Sequence, residues 1–450
     1  MLAAMPPSVP SPALPGDESA RSRGDSCPGT LRLHRADDGA LARVRVPGGL
    51  LSAGQADVLR DLAERLGDGE LHLTSRGNVQ LRGLRADSGS ELAHLLGASG
   101  LLPSERHERA RNVVASPLSG LDGRGERDIR PWLSALDELL CTSDKAADLS
   151  GRFLFALDDG RGDVGALGGD VTLTARADEA ALLRISPAHD AVLLPVEQAP
   201  QAALIAAETF LDQAPDAGAW RVTDLPGGTG PLLDAVVRRL RQAGFSPTLT
   251  AAPLPQGQGG PALGVIPGPH GKHDKHDKAA LSLGLPLGRV SAPQWQTLTD
   301  AARHHGSGEL RLTPWRGVVL PGVQPQEAAE LLEELRAAGL IVGSDSPWTG
   351  VGACIGRPGC AKSLDDVRAS ATAALGPVGA LPVYWSGCER RCGHPHGEWV
   401  DVVATPDGHE ISRVRGSERD APATVPGSSR SPGSSGSSGG LAAAVAAARG

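Results

Sequence analysis

An internally duplicated α+β fold is predicted by three features of this 450-residue chain. Residues 47–74 (PGGLLSAGQADVLRDLAERLGDGELHLT) align without gaps on residues 286–313 (PLGRVSAPQWQTLTDAARHHGSGELRLT) at an offset of 239, with 14 of 28 positions identical. A period that long implies two copies of a domain-sized unit, not a solenoid. Each copy then reads strand, helix, strand, helix. Finally, four of the six cysteines form two tight pairs, Cys354/Cys360 and Cys388/Cys392, confined to the second copy. The two copies have diverged.

Taken in order, residues 1–26 are a Pro/Ser/Ala-rich arm with no apolar signal-peptide core, so a disordered arm and a cytoplasmic protein are expected. The first half spans 27–108. A strand-like LARVRVPGG (41–49) leads to Ser52, which caps a helix whose Val58, Leu59, Leu62 and Leu66 share one face; Gly67 ends it. An alternating strand (70–84) and a second helix (91–100) follow. Helices on one face of an antiparallel sheet make this a ferredoxin-like half. Residues 109–250 form an attached α+β domain containing ARNVVASPLSG (110–120), LSGRFLFALDDGRGDV (149–164) and DVTLTA (170–175). The second half (251–345) repeats the first: LSLGLPLG (281–288), a Ser291 cap, Gly306 as terminator, an alternating strand (309–323) and a helix (327–339). Residues 346–425 carry the cysteines. From 426 the chain is a Ser/Gly linker followed by LAAAVAAARG, the composition of a short helix, with no chemistry expected.

Composition narrows the function classes. Hydrophobic residues make up 40% but aromatics only 3%, so the cores are Leu/Val/Ala-rich. A net charge of −8 without a basic stripe argues against general nucleic-acid affinity, and no apolar run reaches the ~20 residues of a membrane span. His270, His273 and His276, in GPHGKHDKHDK, read as a solvated loop or an adventitious metal site. Cys27 and Cys141 have no near partner.

The cysteine pairs carry the chemistry. Spacings of five, twenty-seven and three intervening residues, flanked by glycines, suit four thiolates on one iron–sulfur core. Structural zinc remains open, although zinc ribbons favour two-residue knuckles. Disulfides would need an oxidising compartment.

With LTSRGNVQLRG (73–83), RNVVASPLSG (111–120), the doubled unit and the cysteine signature together, the chain from Leu31 to Arg415 resembles the sulfite/nitrite reductase superfamily. The resemblance implies two reductase-type α+β domains joined to the ferredoxin-like halves about a pseudo-twofold axis, and a 4Fe–4S cluster on Cys354, Cys360, Cys388 and Cys392. It also implies that Arg76 and Arg111 grip tetrapyrrole carboxylates or an anionic substrate. Guanidinium suits carboxylates because it pairs bidentately. Where the reductases carry Lys-Phe-Lys, this chain has Arg152-Phe153-Leu154, one cation fewer.

That loss, with SGCERRCGHP (386–395), resembles the precorrin-3B synthase branch. The branch implies oxygen-dependent hydroxylation of precorrin-3A and closure of a lactone, a 4Fe–4S cluster and a mononuclear non-haem iron. His394, His396 and Glu398, spaced by two, are candidate ligands for that iron, or polar loop residues beside the cluster. Asn78, Gln80 and Arg82 are placed with Arg76, Arg111 and Arg152 as substrate contacts. A sirohaem-dependent sulfite or nitrite reductase is the alternative, and a non-catalytic Cys₄ metal or electron-transfer protein a third. No glycine-rich dinucleotide fingerprint follows a strand, so electrons are expected from a separate ferredoxin or NAD(P)H-linked reductase.

Overall fold

The first half opens with the hairpin β1 (His34–Ala36) and β2 (Gly39–Val44). It continues through β3 (Leu50–Ser52), α1 (Ala53–Leu66), β4 (Glu70–Leu73), β5 (Val79–Leu84) and α2 (Gly89–Ala98). The computed structural model describes residues 28–255, 257, 259–269, 277–395, 397–416, 418–426 and 437–450. Cys27, His270, His273, His276 and His396 lie outside them, as does the arm at 1–26.

Helix α1 begins as the sequence predicts. Ser52 Oγ accepts from the Gln55 amide and the Gln55 side chain accepts from the Ser52 amide, a capping box that satisfies two helix-end donors. Its buried face is Ala53, Ala56, Leu59, Leu62 and Ala63. The run 70–84 is not the single strand its alternation suggests. It is a hairpin, β4 and β5 paired Leu71 to Leu81, around a turn whose Thr74 Oγ1 accepts from the amides of Arg76 and Asn78.

The next unit holds β6 (Val113–Ala115), α3 (Arg130–Thr142), β7 (Phe155–Asp158), β8 (Val171–Ala175), β9 (Ala180–Ile185), β10 (Asp190–Pro195), α4 (Ala199–Ala217), α5 (Gly230–Gln242) and β11 (Thr248–Ala251). The second half follows with β12 (Gly264–Ile266), β13 (Ala279–Gly284), β14 (Arg289–Ser291), α6 (Ala292–His304), β15 (Glu309–Leu312), β16 (Gly317–Val323) and α7 (Ala328–Ala337). Last come β17 (Val351–Ala353), α8 (Val367–Ala373), β18 (Val383–Ser386), β19 (Glu398–Thr405), β20 (Gly408–Arg415), β21 (Glu418–Arg419), β22 (Ala423–Pro426) and α9 (Ser437–Arg449).

Among the described residues four sheets result, in two matched pairs. The half-domain sheets run β1-β2-β5-β4-β14 and β12-β13-β16-β15-β3. Each is therefore closed by an edge strand from the other half: Val290 pairs with Leu71, and Leu51 with Leu310. The other two sheets repeat one topology. In the first, β6, β7 and β8 are parallel and β9 turns back; in the second, β17, β18 and β19 are parallel and β20 turns back. Helices α3, α4 and α5 contribute to the core of the first. On the second, α8 is joined by the tail helix α9, whose Val445 is buried and whose Arg449 guanidinium donates to the carbonyls of Leu381 and Thr349. The tail from 437 is thus part of the fold, because its alanine-rich face covers apolar sheet that would otherwise meet water.

The halves also meet through α1 and α6. Trp295 is fully buried, and its indole N–H donates to the Ala56 carbonyl at 2.8 Å. Replacing Trp295 with alanine removes that bond and opens a cavity at the junction, so the variant should lose about 3–5 kcal/mol of stability. Denaturant titration reads this directly; an unchanged midpoint would show that the two halves do not depend on this contact.

Candidate active site and metal centre

Between the four units lies a cavity of about 550 Å³. Half one supplies Arg43 and Arg45, at and just beyond β2, Arg76 from the turn, and Arg82 from β5. The first reductase-type unit adds Arg152 and Arg221; Arg316 and Arg368 come from the second copy. Asp224 is the one carboxylate among the described lining residues. A chain of net charge −8 has therefore gathered eight guanidiniums around one space.

Local folding sets these cations apart. Arg82 forks onto Asp38 at 2.8 and 2.9 Å and donates to the Gly359 carbonyl, tying half one to the cysteine loop. Arg221 is held by buried Asp170 at 3.0 Å. Arg45 donates to Asn112 Oδ1 and the Gly151 carbonyl, and Arg76 reaches the same carbonyl at 3.2 Å. Arg368 has neutral acceptors, the Cys354 carbonyl at 3.4 Å and His72 Nδ1 at 3.2 Å. Burial holds the His72 imidazole in its neutral form by pushing its pKa down. Burial, together with the neighbouring guanidiniums of Arg289, Arg82 and Arg316, pushes Arg368 down to about 10; it stays charged at neutral pH.

Arg76, Asn78, Gln80, Arg82 and Arg152 all line the cavity. Asn78 is turned partly inward: its Oδ1 accepts from the Val46 amide and its Nδ2 donates to Asn112. Arg111 is elsewhere. Its guanidinium forks onto Asp137 at 2.7 and 2.8 Å and donates to the Leu101 carbonyl, outside the cavity wall. The expectation that it grips substrate is corrected, because its donors are spent inside the protein. Sequence motifs do not single out Arg43, Arg45, Arg221, Arg316 or Arg368. Three of them are linked to motif residues only through the fold: Arg43 pairs across the sheet with Gln80, Arg45 donates to Asn112, and Arg368 donates to the Cys354 carbonyl.

Two of the four cysteines reach the cavity wall. Cys354 and Cys392 line it, Cys354 packs beside Tyr384 and Trp399, and the Tyr384 hydroxyl donates to the Cys392 carbonyl at 2.6 Å. Burial pushes the Cys354 thiol up; the Gly387 amide, donating to its sulfur at 3.2 Å, opposes this, while Cys392 and Cys388 add to it. The Cys392 thiol is likewise raised by burial and then by Cys388 and Cys360. The four thiols are therefore linked through one another's fields. Among the described residues, no three of these sulfurs lie within 4.8 Å of one another. Gly387 completes the cradle: a Cβ there would come within 1.8 Å of Ser363 Oγ.

The expected mononuclear iron ligands do not converge among the described residues. His394 stacks flat on Trp399 with its Nδ1 against the Pro395 carbonyl. Glu398 is exposed and, as Trp399's neighbour on β19, points to the opposite face.

The first copy keeps the cysteine scaffold without its sulfur. Ser116 follows β6 as Cys354 follows β17. Both amides donate to the second strand, to the Leu157 and Trp385 carbonyls. The Asp159 amide donates to Ser116 Oγ at 3.2 Å, as Gly387 does to Cys354 Sγ. Here three buried carboxylates, Asp158, Asp159 and Asp163, stand within 4.8 Å of one another, with the Arg161 guanidinium paired to Asp159 and Asp122. Burial, and then the Asp158 charge, push Asp163 up to about 7. An acid raised this way favours the folded state below its unfolded pKa near 4, and that contribution is lost as pH rises to 7. Asp163→Asn should therefore gain stability over the native protein between pH 4 and 7, by at most about 1.4 kcal/mol per pH unit, with a constant difference above. Melting at several pH values tests this; a pH-independent difference would place the titration elsewhere.

Known proteins share this architecture. The sequence profile of the nitrite/sulfite reductase ferredoxin-like half domain matches twice, at residues 33–99 and 270–338. A precorrin-3B synthase from Sinorhizobium sp. is 27% identical over 409 residues, covering 88% of this chain and 85% of that protein. A ferredoxin–nitrite reductase from Synechococcus elongatus is 26% identical over 392 residues, covering 79% and 74%. The solved structure of the Mycobacterium tuberculosis NirA protein superposes with a TM-score of 0.66 at 20% identity, over 83% of this chain and 74% of that one, a likeness of fold. The chain thus carries two copies of the ferredoxin-like half domain of the nitrite/sulfite reductases, within a doubled fold like that of NirA.

Proposed function

We propose that this chain is an oxidoreductase of the precorrin-3B synthase type, which binds precorrin-3A in the arginine cavity and performs its oxygen-dependent hydroxylation and lactone formation. The observation that carries the reading is the cavity itself, whose guanidiniums suit a macrocycle bearing many carboxylates. Cys354, Cys360, Cys388 and Cys392 would hold a 4Fe–4S cluster, which supplies single electrons when bound. Cys392 is exposed, which gives an external donor such as a ferredoxin or NAD(P)H-linked reductase an approach to the cluster edge. Arg76, Arg82 and Arg152 orient the substrate's acidic arms, and Gln80 hydrogen-bonds the macrocycle edge.

Leu154 separates this reading from sulfite or nitrite reduction. It is buried with Val114, Ala156 and Val164, and presents hydrocarbon where the reductases carry a second ammonium. Oxyanion reduction needs protons and positive charge at the reacting atom, and Leu154 supplies neither. A sirohaem-bearing reductase remains the second reading, favoured by the matched ferredoxin–nitrite reductase. Anaerobic purification, then incubation with precorrin-3A, reductant and labelled dioxygen, tests the first. One labelled oxygen in the product is expected; intense sirohaem bands with nitrite or sulfite consumption would replace the reading by the second. Cys388→Ser should lose the cluster's visible absorption, and full iron and acid-labile sulfide in that variant would remove Cys388 as a ligand.

Backbone strain points to a further contact. Arg316 has φ 59 where the first copy has Gly77 at φ 65, and Leu287 has φ 54 where the first copy has Gly48 at φ 60. Both line the cavity. A side chain in the left-handed region costs about 1–2 kcal/mol, so it persists where the side chain is used. Arg316→Gly should keep or raise stability yet weaken binding of uroporphyrin, a stable octacarboxylate macrocycle, about tenfold, like Arg76→Ala. Unchanged binding in a stable variant would remove Arg316 from the site.

A further inference from the structure

We propose that Arg368 couples the redox state of the cysteine-bound cluster to occupancy of the cavity by a polyanion. The inference rests on the cluster and macrocycle reading above and adds a regulatory property to it.

Arg368 is the second residue of α8, positioned by the fully buried Val367 and by the Asp366 cap, whose carboxylate accepts from the Ala369 amide. It touches the metal centre's own backbone, through the Cys354 carbonyl, and also faces the cavity. Its situation differs from that of its neighbours. Arg82 is neutralised by Asp38 and Arg289 by Glu70, at 2.8 and 3.2 Å, whereas the acceptors of Arg368 are a carbonyl and a neutral imidazole. With no macrocycle bound, this positive charge stands beside the cluster in a poorly solvated setting, where Coulomb effects are strong.

A positive charge there favours the form of the cluster that carries one more electron, so it raises the reduction potential. The electron comes from an external one-electron donor, which is oxidised as the cluster is reduced. When a substrate carboxylate pairs with Arg368, the field at the cluster weakens and the potential falls. A filled cavity thus makes the cluster a stronger reductant, and an empty one holds the electron back. Linkage requires the reverse effect by the same factor: the reduced protein binds the polyanion more weakly than the oxidised protein does.

The test uses the full chain carrying its cluster, purified anaerobically, with uroporphyrin as the polyanion probe. Potentials are followed by the paramagnetic signal of the reduced cluster, and affinities by titration of both redox forms. The native protein should bind the probe at least about threefold more weakly when reduced, equivalent to a drop of about 28 mV on binding at 59 mV per tenfold. Arg368→Gln should lower the potential of the ligand-free protein and at least halve the affinity ratio, while Arg368→Lys, which keeps the charge, should restore both. Equal potentials and equal ratios in all three proteins would overturn the proposal. If Arg368→Gln fails to assemble its cluster, the native protein decides: no probe-induced shift overturns the coupling. Absence of iron and sulfide, or of any probe binding, in the native protein would instead overturn the underlying reading, and this inference with it.

Discussion

Eight like charges around one cavity repel one another, and much of the fold is arranged to hold them there. Arg82 is tied to Asp38, Arg221 to Asp170, and Arg45 to Asn112 and the Gly151 carbonyl. The Arg45 bonds cross from half one to the first reductase-type unit, and Arg82 crosses to the Gly359 carbonyl of the fourth, so containing the repulsion depends on how these three units meet. The exchanged edge strands fix the register of the two halves, since β3 and β14 each pair with the opposite half. What the protein leaves uncompensated, a polycarboxylate ligand can supply.

Duplication gave the molecule two potential sites, and divergence kept one. At the shared offset, Arg43, Arg45 and Arg76 correspond to Ser282, Gly284 and Trp315. Those three line a second, smaller pocket of about 180 Å³, bounded by Leu283, Ile341 and Trp348 and sharing Arg316 with the first. The metal scaffold shows the same asymmetry, with Ser116 and a carboxylate cluster standing where the second copy has Cys354 and its cradle. Four of the eight guanidiniums come from half one, and the two cysteine pairs from the fourth unit.

Much of the fold is legible in the amino-acid sequence. The ungapped repeat, the Ser52 and Ser291 caps and the paired cysteines each follow from local rules, and each is where the chain places it. The run 70–84 reads as one strand rather than a hairpin because its period-two alternation continues through the turn. For Arg111, a motif gives the residue type but not the carboxylate that claims it; Asp137 lies 26 residues away. His394 and Glu398 share a spacing, yet the ring of Trp399 takes one of them.

Order along the chain was enough to establish the doubled architecture and the family resemblance, because repeats, caps and motif spacing are local patterns. Three-dimensional packing settled which arginines face the cavity and which are spent inside. It also settled that two halves trade edge strands, that a low-complexity tail covers a sheet, and that Arg368 touches both the cysteine backbone and the cavity. Those outcomes depend on contacts between residues far apart in sequence, such as Arg368 with His72 or Arg82 with Gly359, and no local pattern encodes them.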